Sequence, residues 1–250
     1  MILRFDNATL NVHPNRFLAG QVAGNAAAAA VRNALEKKKR VRMVFAAAPS
    51  QNETLAALVT APGVDWMRVI AFHMDEYIGL PANAPQRFTR YLRDRIFSKL
   101  PFAEIHLLNG IDPEKLCKEY SEKLAAAPID VVCLGIGENG HIAFNDPPIA
   151  DFNDPKLVKI VDLDEACRQQ QVNDGCFSAL DGVPKRAVSL TIPALMRGEC
   201  LICTVPGKRK HNAVRTAMEQ PVSPSCPASI LRTHPNCTLF IDQECWRDET

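Results

Sequence analysis

The chain has 250 residues, of which 47% are hydrophobic and 23% are charged, and its formal net charge is +1. These values are typical of a globular protein, and they lack the strongly basic balance that nucleic-acid binding usually requires. The chain has no run of about 18 apolar residues and no signal-peptide pattern at its N-terminus, so we expect no membrane association.

Apolar, β-rich runs alternate with helical patterns along the chain. We expect helices at 15–39, 51–61, 85–100, 113–126, 164–172 and 208–219. We expect strands at 41–48, 67–74, 104–108, 131–136, 157–161, 187–191, 200–205 and 237–241. This alternation predicts an α/β fold with a doubly wound, mostly parallel sheet and helices on both faces. We expect one domain over residues 1–250. The loop 145–156, rich in Pro and Asp, is interpreted equally well as a mobile lid or as a plain surface connection.

The nine cysteines are an odd number scattered through apolar segments. This distribution is typical of reduced, buried thiols and predicts a cytoplasmic protein. Cys200 and Cys203 form a C-x-x-C pair, but they lie in an apolar run that we interpret as a strand. Because no second ligand pair is nearby in the sequence, we expect no metal site there.

Ligands of doubly wound sheets bind beyond the carboxyl ends of the strands, and two carboxylates, Asp75 and Glu76, follow the predicted strand 67–74. Adjacent residues of an extended chain point to opposite sides, so only one of the two is expected to face a cleft. A carboxylate in that position can act as a general base, although a helix-capping or salt-bridged pair is an equally good interpretation of the motif alone.

The segment 134–146 carries three glycines at G-x-G-x-x-G spacing, the last of which is Gly140. Alone this spacing is a weak sign of a dinucleotide site, and the two prolines that follow argue against the long helix that such a site needs. We expect the glycines to allow a tight turn that brings Asn139, His141 and Asp146 together. A histidine between an amide and a carboxylate is suited to proton transfer, since the carboxylate can hold one imidazole tautomer.

Two further positions after strands could bind an anion. Ser50 and Glu53 match a capping box, with Ser50 as the N-cap of the next helix, and the N-terminus of such a helix can hold a phosphate. The basic run 208–210 lies where another helix begins. Because positive charge there opposes the helix dipole, we expect one of Lys208, Arg209 or Lys210 to bind a phosphate.

The segments 72–80 (FHMDEYIGL) and 134–147 (LGIGENGHIAFNDP) closely resemble the two signature segments of glucosamine-6-phosphate deaminases. The segments 183–185 and 207–210 occur in the matching order, and the resemblance extends along nearly the whole chain. It implies a Rossmann-like fold and an amino-sugar-phosphate deaminase and aldose–ketose isomerase that converts glucosamine 6-phosphate to fructose 6-phosphate and ammonia. It also implies a phosphorylated sugar as the partner and no cofactor, and it leaves homo-oligomer formation open.

The resemblance also implies roles for the candidate catalytic residues. Asp75 would move a proton between C2 and C1 of the sugar, and His141 would assist ring opening at the ring oxygen. Asn139 and Asp146 would orient or tune the histidine. The family commonly has Glu where Asp146 stands, so this carboxylate is shorter by one methylene.

The resemblance assigns the phosphate to Lys210 and to the loop that contains Ser50, and we expect Gly140 to contact the substrate. This loop departs from the family's Thr-Gly-Gly-Thr pattern and contains Pro49, which has no N–H to donate. The family's Arg-Phe-Phe segment reads Gly-Cys-Phe at 175–177, so an arginine that binds phosphate is missing. We hypothesise that Arg168 compensates for it.

Two alternatives remain open. A 6-phosphogluconolactonase has a related fold and a G-x-G-x-x-G-H segment, but typically shows Asp-Glu-Arg where this chain has Asp75, Glu76 and Tyr77. A sugar-phosphate-sensing module of a transcription regulator would need a DNA-binding segment, and only an alanine-rich helix precedes residue 41.

Overall fold

The computed structural model describes residues 1–147 and 149–247. The strands of the described residues are β1 (Ile2–Phe5), β2 (Ala8–His13), β3 (Val41–Phe45), β4 (Val69–His73), β5 (Asp75–Tyr77), β6 (Glu104–His106), β7 (Val131–Leu134), β8 (Val158–Asp162), β9 (Arg186–Leu190), β10 (Cys200–Val205) and β11 (Cys237–Asp242). The α-helices are α1 (Arg16–Lys37), α2 (Asn52–Thr60), α3 (Phe88–Leu92), α4 (Pro113–Ala125), α5 (Glu165–Asn173), α6 (Ile192–Met196), α7 (His211–Glu219) and α8 (Gln243–Trp246).

Eight strands form the main sheet in the order β1-β2-β11-β10-β7-β3-β4-β6. Every neighbouring pair in it is parallel except the β1–β2 hairpin. The prediction of a mostly parallel α/β sheet is therefore confirmed.

Alternate side chains of the central strands enter two different hydrophobic cores. On β3, Val44 packs in the core that includes α4 and α7, whereas Met43 and Phe45 pack in the core that includes α1 and α2. The two cores show that the sheet is covered on both faces, which is why every residue of β3 and β7 is buried.

Helix α1 lies unusually close to α2. A Cβ atom added at Gly24 would lie 2.5 Å from the Cβ of Ala57 and 2.6 Å from the carbonyl oxygen of Thr54. Small residues along α1, including the run of alanines, allow this close approach. The N-terminus of α1 is capped by Asn15, whose side chain accepts a hydrogen bond from the N–H of Leu18.

Some elements differ from the predictions. The sequence analysis missed the N-terminal hairpin and the short helices α6 and α8, which are too brief to show a clear period. The predicted helix 85–100 is only α3 followed by a π-helical turn at Arg93–Phe97. The predicted strands 157–161 and 187–191 are β8 and β9, but they join β5 in a separate antiparallel three-stranded sheet.

Within the described part of the chain, every helix is too short or too polar to cross a lipid bilayer.

Candidate active site

A cavity of about 360 Å³ lies beyond the carboxyl ends of β10, β7, β3 and β4, which are neighbours in the main sheet. Its lining includes Ser50, Asp75, His141, Gln171 and Lys210. Residues that are far apart in the chain therefore meet at one place because the loops that carry them leave the same edge of the sheet.

Asp75 and Glu76 point into different surroundings, as expected for neighbours in a strand. Asp75 lines the cavity, and burial, aided by the negative charge of Glu76, raises the pKa of its carboxyl well above 3.8. Glu76 instead accepts hydrogen bonds from the backbone N–H groups of Phe88 and Thr89 at the start of α3. The first carboxyl is thus available for proton transfer and the second holds a helix in place.

His141 lies at the centre of a hydrogen-bonded group. Its Nδ1 lies 2.7 Å from Oδ1 of Asn139 and 3.1 Å from Oδ1 of Asp146. The Nδ2 amide of Asn139 donates to Asp146 at 3.1 Å, so the three residues contact one another. Two acceptors facing Nδ1 favour the tautomer with its proton there, which leaves Nε2 for a ligand in the cavity.

Asp146 is 1% exposed yet its ionised form is favoured. Burial alone would raise its pKa, but hydrogen bonds from His141, Asn139 and the N–H of Asp164 outweigh burial and lower the pKa below 3.8. A carboxylate held ionised beside Nδ1 stabilises a positive charge on the imidazole, as proton transfer through Nε2 requires.

The turn after β7 depends on the absence of a side chain at Gly137. A Cβ atom at this position would lie 2.2 to 2.4 Å from three atoms of the His141 ring. The N–H of Gly137 also donates to the carbonyl of His141 at 2.9 Å, which closes the turn.

The loop after β3 is held from two sides. Tyr91 donates its hydroxyl to the carbonyl of Ala48 at 2.5 Å, and Arg16 donates to the carbonyl of Pro49 at 3.0 Å. Ser50 lies in this loop and lines the cavity.

The predicted capping box is wrong. Pro49 begins a 3₁₀ turn that contains Ser50, and α2 begins only at Asn52, so Ser50 does not occupy the N-cap position. The side chain of Glu53 pairs with Arg16 at 2.8 Å instead of reaching back to a cap.

Of the three basic residues 208–210, Lys210 is the best placed to meet an anion. It lines the cavity and is 7% exposed, and burial lowers the pKa of its ammonium below 10.5. Among residues 1–147 and 149–247, no group lies within hydrogen-bond or ion-pair distance of this ammonium. Arg209 also borders the cavity, but it pairs with Asp174 at 2.7 Å and with Glu138 at 3.3 Å.

The structure does not bring Arg168 to the cavity, contrary to the hypothesis that it replaces the missing arginine. Its guanidinium donates to the carbonyl oxygens of Leu180 and Val183, at 2.7 and 3.1 Å. Arg168 lies on the side of α5 that faces these carbonyls, so its guanidinium bonds them and not a ligand in the cavity.

Gly140 is not among the residues that line the cavity. It has a φ of +84°, and a Cβ atom there would lie 2.8 Å from Sγ of Cys226. We therefore interpret Gly140 as part of the turn and not as a substrate contact, which corrects the prediction.

The loop 145–156 begins with buried residues. The side-chain amide of Asn145 donates to the carbonyls of Ile142 and Leu190, at 3.0 and 2.8 Å. These bonds anchor the start of the loop and argue against a lid that begins there.

His73 and Tyr77, within the first signature segment, do not reach the cavity. Nε2 of His73 accepts from the N–H of Leu108 at 2.7 Å, and burial lowers the pKa of this histidine to about 3, so it is neutral. The ring of Tyr77 packs against Phe88, Phe144 and Phe177.

The polar residues of the cavity that sequence analysis missed include Arg16, Gln170 and Gln171. Gln170 and Gln171 lie in a predicted helix, where the sequence does not distinguish a glutamine on the surface from one that lines a site. Arg16 lies at the start of α1, and only the position of α1 beside the loop after β3 makes it part of the site.

One group of side chains could in principle hold a metal ion. Ligand atoms of His141, Asp146 and Cys167 lie within 4.8 Å of one another. However, His141 and Asp146 already bond each other, and burial raises the pKa of the Cys167 thiol well above 9.0, which disfavours the thiolate that binds metals. We assign no metal here.

Comparisons with known proteins agree with this geometry. The family model described as glucosamine-6-phosphate isomerases/6-phosphogluconolactonase matches residues 16–240. Glucosamine-6-phosphate deaminases of Bacillus thuringiensis (strain Al Hakam) and Bacillus anthracis (strain CDC 684 / NRRL 3495) are each 37% identical over 183 residues, which cover 72% of this chain and 68% of theirs.

Solved structures share the fold over almost the whole chain. A monomeric glucosamine-6-phosphate deaminase superposes with a TM-score of 0.85 at 26% identity, covering 94% of this chain and 98% of that one. The 6-phosphogluconolactonase of Thermotoga maritima superposes with a TM-score of 0.76 at 20% identity, covering 94% and 100%. The matches of sequence and structure together show that the chain belongs to the glucosamine-6-phosphate isomerase/6-phosphogluconolactonase family.

Proposed function

We propose that the chain is a glucosamine-6-phosphate deaminase, which converts glucosamine 6-phosphate and water to fructose 6-phosphate and ammonia. The observation that carries this proposal is that Asp75, His141 and Lys210 line one cavity. The curated relatives that are 37% identical have this activity in their names, which supports it further.

Ring opening is the first step. We assign it to His141, whose Nε2 takes the proton of the anomeric hydroxyl and gives it to the ring oxygen. Asn139 and Asp146 hold Nδ1, and the ionised carboxylate stabilises the charged imidazole.

Isomerisation follows in the open chain. Asp75 takes the proton from C2 while the C1 carbonyl oxygen gains one from the C2 ammonium, which gives an intermediate with a C1–C2 double bond. Asp75 then returns its proton to C1, leaving a protonated C2 imine. A base of raised pKa suits both transfers, because its conjugate acid can give the proton back near neutral pH.

Ammonia is released when water adds to the C2 imine and the C–N bond breaks. The sequence of steps is redox-neutral, so it requires no redox cofactor. We assign the phosphate to Lys210 and the Ser50 loop, which would hold the sugar in register with Asp75.

The test measures ammonia release from glucosamine 6-phosphate with an assay coupled to glutamate dehydrogenase. Parallel reactions use galactosamine and mannosamine 6-phosphates. We expect ammonia and the matching ketose 6-phosphate in equal amounts from one of these sugars, namely fructose 6-phosphate from glucosamine or mannosamine 6-phosphate and tagatose 6-phosphate from galactosamine 6-phosphate. Absence of ammonia from all three, with hydrolysis of 6-phosphogluconolactone, would identify a lactonase instead.

The cellular setting and assembly are proposals too. We propose a cytoplasmic enzyme, supported by nine cysteines that are all free.

We propose one domain over residues 1–250, supported by the hydrogen bond from the N–H of Leu190 in the small sheet to the carbonyl of Met74 beside the main sheet. Homo-oligomer formation stays open.

A further inference from the structure

The side chain of Gln171 lies in the cavity wall. It is 7% exposed, and among residues 1–147 and 149–247 its amide makes no hydrogen bond, although its backbone carbonyl accepts from Cys176. The adjacent Gln170 differs, because its Oε1 accepts from the N–H of Glu138 at 2.7 Å. The amide of Gln170 therefore stabilises the turn that contains Glu138, whereas the amide of Gln171 makes no such contact with the described residues.

Gln171 also lies where two cavities meet. A second cavity of about 260 Å³ adjoins the first, and both are lined by Ala47, Ala48, Pro49, Phe88 and Gln171. The other four shared residues have apolar side chains, so Gln171 supplies the one polar side chain of the wall between the two cavities. An unpaired amide in apolar surroundings gains strongly from a ligand that bonds it.

We propose that Gln171 is a substrate-specificity residue, whose amide binds a hydroxyl group of the phosphorylated sugar. This inference rests on the proposed function. An amide offers donors on nitrogen and an acceptor on oxygen, and a sugar hydroxyl likewise donates and accepts. A phosphate dianion only accepts, so it could bond the amide nitrogen of Gln171 but not its Oε1, and we assign the phosphate to the Lys210 side of the cavity.

The experiment compares Gln171→Leu and Gln171→Glu with the wild type and with Gln169→Leu. Gln169 is an exposed residue two positions earlier on the same helix, so its variant is a matched control. The readouts are kcat and KM for glucosamine 6-phosphate, the calorimetric Kd for fructose 6-phosphate, the inhibition constant of inorganic phosphate, and Tm.

We expect Gln171→Leu to lower kcat/KM and fructose 6-phosphate affinity by roughly 10- to 100-fold, the usual cost of losing one buried hydrogen bond to a ligand. Inhibition by inorganic phosphate should stay at the wild-type level, and Gln169→Leu should match the wild type. Gln171→Glu keeps the size and the acceptors but loses the donors, so it should also weaken sugar binding and serves if the leucine variant does not fold.

Two results would overturn the inference. Wild-type kcat/KM and Kd in folded Gln171 variants would show that the amide binds nothing, and equal losses of sugar and inorganic phosphate binding would place it on the phosphate. A wild type that releases no ammonia would instead refute the proposed function, while the fructose 6-phosphate affinities would still test Gln171.

Discussion

Neighbouring carboxylates, Asp75 and Glu76, take opposite roles because adjacent residues of a strand point to opposite sides. Backbone N–H groups of Phe88 and Thr89 bind Glu76, whereas the carboxyl of Asp75 faces the cavity, where burial favours its neutral form. A carboxyl in such surroundings holds and releases a proton at a higher pH than in water.

Replacing Asp75 by asparagine should lower turnover strongly while leaving ligand binding largely intact. We expect kcat to fall by about 10²- to 10⁴-fold, the usual contribution of a general base, because an amide cannot take the C2 proton. The Kd for fructose 6-phosphate, measured by calorimetry, should change little. Asp65→Asn, at an exposed position, is the control; near-normal kcat in Asp75→Asn would exclude Asp75 as the base.

The same variant should be more stable than the wild type at neutral pH. The pKa of Asp75 is higher in the folded chain than in the unfolded chain, so its contribution to stability is lost as pH rises through the folded pKa. The amide of the variant does not titrate, so the variant would not have this loss. Thermal unfolding across pH should show a higher Tm for Asp75→Asn above that pKa and no difference at pH values below 3.8. An equal Tm at every pH would contradict the raised pKa.

At the scale of elements, the turn after β7 decides where His141 lies. The glycine at 137 makes room for the ring, and Asn139 and Asp146 bond its Nδ1 from the same turn. The three polar residues were predictable because they are close in sequence, so the turn alone can bring them together.

Gly137→Ala should displace the His141 ring, because the new Cβ would lie within 2.4 Å of it. We expect kcat to fall by about 10²-fold, a typical cost of misplacing a catalytic group by about 1 Å. Steady-state kinetics would measure this. Gly182→Ala is a matched control, since the nearest atom to its Cβ is 3.8 Å away; equal kcat values in the two variants would refute the role of Gly137.

At the scale of the whole molecule, the sheet order brings the site together. The neighbouring strands β10, β7, β3 and β4 place the basic segment, the His141 turn, the Ser50 loop and Asp75 around one cavity. An anion bound in this cavity would contact loops from several strands, so we expect its binding to stabilise the fold.

Inorganic phosphate should stabilise the folded chain through Lys210. A ligand at 100 times its Kd adds about 2.7 kcal/mol to the free energy of unfolding, and we expect Lys210→Met to remove most of this gain. The gain should also decline as pH rises through the lowered pKa of Lys210. Thermal unfolding with and without phosphate measures it, with the exposed Lys39→Met as control. Full stabilisation of Lys210→Met by phosphate would contradict this assignment.

The sequence alone was sufficient for the parts of the protein that depend on local patterns. The alternation of apolar β-rich runs with helical patterns predicted the main elements, since burial on both faces makes β7 a continuous apolar strand and leaves Arg42 as the one polar residue of β3. The contrast between Asp75 and Glu76 and the contacts within 139–146 follow from the geometry of one strand and one turn, so they too were predicted.

Only the tertiary structure decided which side chains from distant parts of the chain meet at the cavity. Whether Arg168 meets the cavity depends on the packing of α5, and it meets the carbonyls of 180 and 183 instead. The same packing turns Gln171 into the cavity, and the position of α1 brings Arg16 to the Ser50 loop. These contacts join residues distant in the chain, and side-chain directions across packed elements leave no periodic signal in the sequence.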